Sequence, residues 1–111
     1  KIYEIEDNNY NEIETASKYE IRLGEAELVI SLENEKLQTY KIEIIAINYM
    51  SNNKNIKIRI QDDELITKTG GIVQGMSGAP IIQNGKLIGA INYANSEEPE
   101  DAYAIFIDKL M

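Results

Sequence analysis

Two residues near the middle of the C-terminal half, Asn84-Gly85, constrain this chain more than any others. They separate two apolar runs, "APIIQ" and "KLIGAINYA". An Asn-Gly pair in that position specifies a two-residue β-hairpin, because the tightest turn that matches strand twist needs positive φ at both central residues. A hairpin there commits Ala79 to Ala94 to antiparallel strands, and the remaining apolar runs follow the same period. "IKIRI", Ile56 to Ile60, alternates strictly, as a strand buried on one face must. "EAELVISLE", Glu25 to Glu33, and "LQTYKIEIIAINY", Leu37 to Tyr49, flank the polar link "NEK" and read as a second hairpin, with Tyr40, Ile42 and Ile44 on one face. "SNNKN", Ser51 to Asn55, is a turn cluster, and "AYAIFI", Ala102 to Ile107, is a closing strand after the acidic loop "NSEEPED".

Six or seven short strands and almost no helical periodicity define an all-β chain, a small antiparallel β-barrel or half of a larger one. The single exception is "DDELITKTG", which reads as one helical turn with Asp62 or Asp63 as its cap, ending at the glycine pair. Residues 1–16, acidic and rich in Asn, are an unassigned arm or edge strand. Residues 17–111 form the one domain.

Composition excludes several functions. A net charge of −8 from 19 acidic and 11 basic residues is wrong for a nucleic-acid face or an anionic membrane surface. Neither Cys nor His occurs, so thiolate and imidazole metal sites are ruled out, and no cofactor is expected. No apolar run approaches the length of a membrane span. The first residue is not Met, so further sequence is expected ahead of it.

The chemistry lies in "GMSGAP", Gly75 to Pro80. A serine on a tight glycine-flanked turn is exposed, and small neighbours let backbone N–H groups approach a substrate carbonyl. The competing reading, a plain turn between strands, is open on this hexapeptide alone. "GMSGAP" matches the chymotrypsin-type motif Gly-Asp-Ser-Gly-Gly-Pro at Gly75, Ser77, Gly78 and Pro80. In a turn of that shape the N–H groups of Gly75 and Ser77 form the oxyanion hole.

A longer segment is more specific. "TGGIVQGMSGAPIIQNGKLIGAI", Thr69 to Ile91, resembles the signature of the SpoIVB family of sporulation serine peptidases, and a weaker likeness extends over roughly residues 17 to 111. The resemblance implies the serine-bearing half of a chymotrypsin-like double barrel, with a His, Asp and Ser triad. Its nucleophile falls on Ser77 and its aspartate on Asp62; a turn or cap role for Asp62 competes. It further implies an endopeptidase acting on a regulatory protein, between mother cell and forespore of a spore-forming bacterium. Two departures stand out. No histidine segment lies upstream, so the chain alone is expected to be inactive. Where the family carries Thr-His, this sequence has Asn92 and Tyr93, and Tyr93 becomes a residue of the pocket rim. Tyrosine, with an ordinary pKa of about 10, is a poor base at neutral pH. The alternative is a catalytically inactive module that binds a partner or peptide by strand addition. Half of a double barrel leaves an apolar face to cover, so a homodimer or association with the missing N-terminal half is expected, besides a protein or peptide substrate.

Overall fold

The structure is a computed structural model and describes residues 13–30, 38–61, 77–94 and 101–110. Six strands form a closed antiparallel barrel: β1 (Gly24–Ile30), β2 (Gln38–Ile47), β3 (Ile56–Ile60), β4 (Pro80–Gln83), β5 (Lys86–Ala94) and β6 (Asp101–Phe106). Around the barrel the order is β1-β2-β3-β6-β5-β4, with β4 returning to β1. Short 3₁₀ turns at Lys18–Glu20 and Ile107–Leu110 flank the barrel. The all-β barrel expected from the sequence is therefore present. The helical turn expected at Asp62 lies outside the described residues.

The hairpin signals account for the local structure. Asn84 and Gly85 have φ of 53° and 79°, the pair of positive values that the β4–β5 turn needs. β1 pairs along its full length with β2, from Gly24↔Ile44 to Ile30↔Gln38. Tyr40, Ile42 and Ile44 on β2, and Ile56, Ile58 and Ile60 on β3, are all buried. With Leu28, Ile81, Ile88, Ile91 and Phe106 they fill the barrel. Each such side chain contributes about 1.5–3 kcal/mol on leaving water.

Closing six strands requires bends, and the strands supply them as bulges. The register slips at Ile45 between β2 and β3, at Ile88 between β4 and β5, and at Asn92 between β5 and β6. The closing seam is short, with only Glu27↔Ile82 and Leu28↔Ile81 paired between β1 and β4. The buried side chain of Gln83 extends it. Its Oε1 accepts from the Arg22 N–H at 3.0 Å, and its Nε2 donates to the carbonyls of Arg22 at 2.8 Å and Glu25 at 3.1 Å. The notion of a half-barrel with an uncovered apolar face does not apply: the sheet closes on itself and its core face is filled from within.

The described part of the N-terminal arm is anchored as well. The Leu87 N–H donates to the Glu14 carbonyl at 2.8 Å, and the Ala16 N–H donates to the Leu87 carbonyl at 2.9 Å. Ser17 then caps the first 3₁₀ turn, with Glu20 reaching back to the Ser17 N–H. That hydrogen bond, and next the contact with Lys86, holds the Glu20 carboxyl below the ordinary glutamate range.

Two buried groups are expected to govern stability. A methyl built on Gly89 would lie 2.5 Å from the Ile105 carbonyl oxygen, so Gly89→Ala must push β5 from β6. Gln83→Leu would strand the polar backbone groups at the seam. Each variant is expected to lose about 1–3 kcal/mol in urea unfolding, with Gly85→Ala in the same range because of its positive φ. Midpoints unchanged from wild type for both Gly89→Ala and Gln83→Leu would contradict this packing.

Candidate functional site

Ser77 is exposed and occupies the turn that enters β4. The residues after it explain why that turn is firm. Gly78 has φ of +92°, a backbone geometry costly for a residue with a side chain. Its N–H donates to the Ile91 carbonyl at 2.7 Å, and the Ile91 N–H donates to the Ala79 carbonyl at 3.0 Å. Ala79 packs in the core, and Pro80 opens the strand. Ser77 is thus the exposed residue immediately before an anchored one. The side chain faces solvent while the backbone two bonds away is tied to the barrel.

β5 changes register immediately after this clamp. Ile91 pairs with Ala104 and Tyr93 with Tyr103, leaving Asn92 as the extra residue of the bulge. The Asn92 Nδ2 donates to the Asn53 carbonyl at 2.6 Å, which fixes the orientation of the amide. Its Oδ1 is buried and has no hydrogen-bond partner. A buried acceptor left without a donor costs about 1–3 kcal/mol.

The turn that receives Asn92 is itself tightly organised. Asn55 is buried, and its Nδ2 donates to the carbonyls of Asn48 and Ser51 at 3.0 and 2.8 Å. Its Oδ1 accepts from the Phe106 N–H at 3.2 Å. The cluster "SNNKN" is consequently more than a connection. It is a rigid platform beside β5.

Of the residues singled out by sequence, the structure describes Ser77 fully and Tyr93 through its backbone, at the pairing with Tyr103. Asp62 and Gly75 lie outside the described residues, as do Met76 and the loop of residues 95–100. The Ser77 turn and the Asn92-Tyr93 end of β5 are brought together by the Gly78–Ile91 and Ile91–Ala79 bonds. Asn92 and Asn53 gave no sequence signal for their contact, since neither a bulge nor a cross-turn carbonyl is visible in residue order.

A second group that the sequence did not single out is Asp101, which ends the acidic loop. It is buried, 1% exposed, and lies directly opposite Arg59 across β3 and β6. Arg59 donates through Nε at 2.7 Å and through a terminal nitrogen at 3.0 Å, a two-point clasp of the carboxylate. Lys57 adds a second positive charge at 3.9 Å. Among the described residues no cluster of His, Cys, Asp or Glu could hold a metal ion, and no helix is long and apolar enough to cross a membrane.

The described residues thus form a closed antiparallel barrel with an exposed serine on a glycine-held turn ahead of its fourth strand. Residues 2–111 match the family model described as SpoIVB peptidase S55, and the chain belongs to that family. The matched range takes in the N-terminal arm, including the residues bound to Leu87. No curated protein and no solved structure matched the chain.

The geometry makes Gly78 the most sensitive point of the turn. Gly78→Ala should lower any Ser77-dependent activity by at least about tenfold, since a displacement near 1 Å at a reacting group is enough for such a loss. It should unfold within about 2 kcal/mol of wild type, the cost of strain at one φ. Kinetics and urea melts of the same preparation check this; full activity in the variant would show that the turn does not depend on the positive φ.

Proposed function

We propose that this barrel is the serine-bearing half of a sporulation endopeptidase that cleaves a regulatory protein by acyl transfer through Ser77. The observation that carries the reading is the position of Ser77. It is exposed, it precedes an anchored Gly78 of positive φ, and it lies within a chain of the SpoIVB peptidase family. The general base is a histidine from outside the 111 residues, because none occurs among them. Ser77 Oγ would lose its proton to that imidazole and attack the scissile carbonyl. The amine product would leave with the proton, and water would then hydrolyse the acyl-enzyme. The N–H groups of Gly75 and Ser77 are the donors we assign to the oxyanion, and Asp62 is assigned to orient the histidine. To Tyr93, near the end of β5, we assign the rim of the substrate cleft.

Protein or peptide is the substrate class, and no cofactor enters the mechanism. The site of action proposed is the space between mother cell and forespore, following the family. The departure at Asn92-Tyr93 keeps a peptide-binding module without catalysis as the second reading. Closure of the barrel weakens that reading, because β1 and β4 are paired with each other and do not offer a free edge for strand addition.

Intact-mass analysis after fluorophosphonate treatment of the full gene product distinguishes the two. A single adduct that disappears in Ser77→Ala is the expected result, with peptide hydrolysis falling by several orders of magnitude in the same variant. A folded product that takes up no adduct would assign the turn to binding.

A further inference from the structure

The serine turn meets β5 where the ladder is interrupted on both flanks. Gly78 and Ala79 both face Ile91, the Gly78 N–H donating to the Ile91 carbonyl and the Ile91 N–H to the Ala79 carbonyl. With the positive φ of Gly78 this is a bulge of the kind whose first residue is glycine. On the other flank the pairing of β5 with β6 slips between Ile91 and Tyr93, and Asn92 is the residue left over. Pro80 follows Ala79 and has no N–H, so it adds no donor to the ladder. Among the described residues, two backbone bonds to Ile91 therefore carry the turn. The residue next to Ile91 has no place in the β5–β6 register.

The side chain of Asn92 supplies the missing tie. Its Nδ2 donates to the Asn53 carbonyl at 2.6 Å, shorter than most N–H···O bonds. Its Oδ1 has no partner among the described residues, so the amide contributes as a donor. The acceptor is firmly placed. Ser51 Oγ accepts from the N–H groups of Asn53 and Lys54 at 3.3 and 2.9 Å. Lys109 Nζ donates to the carbonyls of Ser51 and Asn52 at 2.9 and 3.2 Å. The Asn48 N–H donates to the Asn55 carbonyl at 2.7 Å and closes the base of the turn. We propose that Asn92 is a positioning residue for Ser77: its amide braces the Ile91 stretch of β5, and the serine turn bonded to it, against residues 48–55. The inference rests on the peptidase reading above and adds to it a residue that acts through Ile91.

The chemistry of the contact separates this role from plain packing. One hydrogen bond changes the folded fraction of a whole domain little. The same bond at a bulge decides where Ile91 sits, and a displacement near 1 Å at a reacting group costs far more in rate than in folding. Asp in place of Asn92 keeps the shape and loses the donor, so a carboxylate oxygen would face the Asn53 carbonyl oxygen and be repelled by it. Ala removes the contact without repulsion. Neither change alters the backbone groups of Gly78 and Ile91, so an effect on their bond has travelled through the amide. With the ladder interrupted on both flanks, no neighbouring rung compensates.

The test compares the full gene product with its Asn92→Asp and Asn92→Ala variants by amide hydrogen exchange and fluorophosphonate labelling. The Gly78 amide is expected to exchange at least about tenfold faster in both variants, while the amides of Ile42 and Ile58 keep their wild-type rates. Ser77 should label at least about tenfold more slowly. For peptide hydrolysis, kcat should fall while KM stays within about twofold, since Asn92 acts through Ile91. A purely structural role would instead speed exchange at Ile42 and Ile58 along with Gly78. That pattern, an unchanged Gly78 rate, or labelling of both variants at the rate of a reactive wild type would overturn the proposal. A wild-type product that takes no adduct would sink the peptidase reading by itself. Faster exchange confined to Gly78 would then still leave the brace standing.

Discussion

Everything in this protein depends on closing the sheet between β1 and β4. Only two residue pairs make that seam in the register, and one buried glutamine completes it. Without closure, the inward faces of six strands would meet water. With it, eleven of the largest side chains fall below 2% exposure, and the barrel has a core of ordinary kind. A closed barrel also has no unpaired edge between its first and last strands in the ring, which removes the usual route to aggregation. The seam further determines where the serine turn goes. β4 is short and is held on one side by β1 and on the other by β5, so the residues just before it cannot drift.

Function is built onto that rigidity from one end. The clamp on Gly78 and Ala79 comes from Ile91, and Asn92 follows as a bulge that leans on the Asn53 carbonyl. A bulge at this position re-aims the strand beside the candidate nucleophile, a common use of the device near reactive groups. Behind it, the Arg59–Asp101 clasp fixes the pairing of β3 with β6. Removing Arg59 would take the two-point clasp from a carboxylate that is itself buried, which costs more than the pair is worth in itself. The barrel therefore combines an exposed hydroxyl with an unusually constrained backbone, which suits a nucleophile that must not move when its base arrives.

Much of this was readable in the sequence, for reasons that can be named. Asn84-Gly85 carries its turn type in two residues, and both φ values are positive as that turn demands. The alternation of Ile56, Ile58 and Ile60 is a direct record of which face is wet. Ser77 was recognisable because glycine and proline neighbours mark a turn entering a strand. The bulges at Ile45, Ile88 and Asn92 were not legible, because one extra residue in a strand leaves the apolar pattern intact on both sides. Gln83 closes the run "APIIQ" and Asp101 closes the acidic loop, and neither position signals burial on its own. Their burial is decided by partners 61 and 42 residues away, Arg22 and Arg59, which no local pattern records. The expectation of an uncovered half-barrel failed for the same reason, since the β1–β4 pairing joins segments far apart in the chain.

The central claim is that Ser77 acts with a histidine brought to it by another segment. Determining the structure of the full gene product at a resolution that shows side chains tests this most directly. The account predicts an imidazole nitrogen within about 3 Å of Ser77 Oγ, allowing for the looser geometry of a free enzyme. A well-ordered Ser77 with no histidine nearer than about 6 Å, well beyond hydrogen-bond reach, would contradict it.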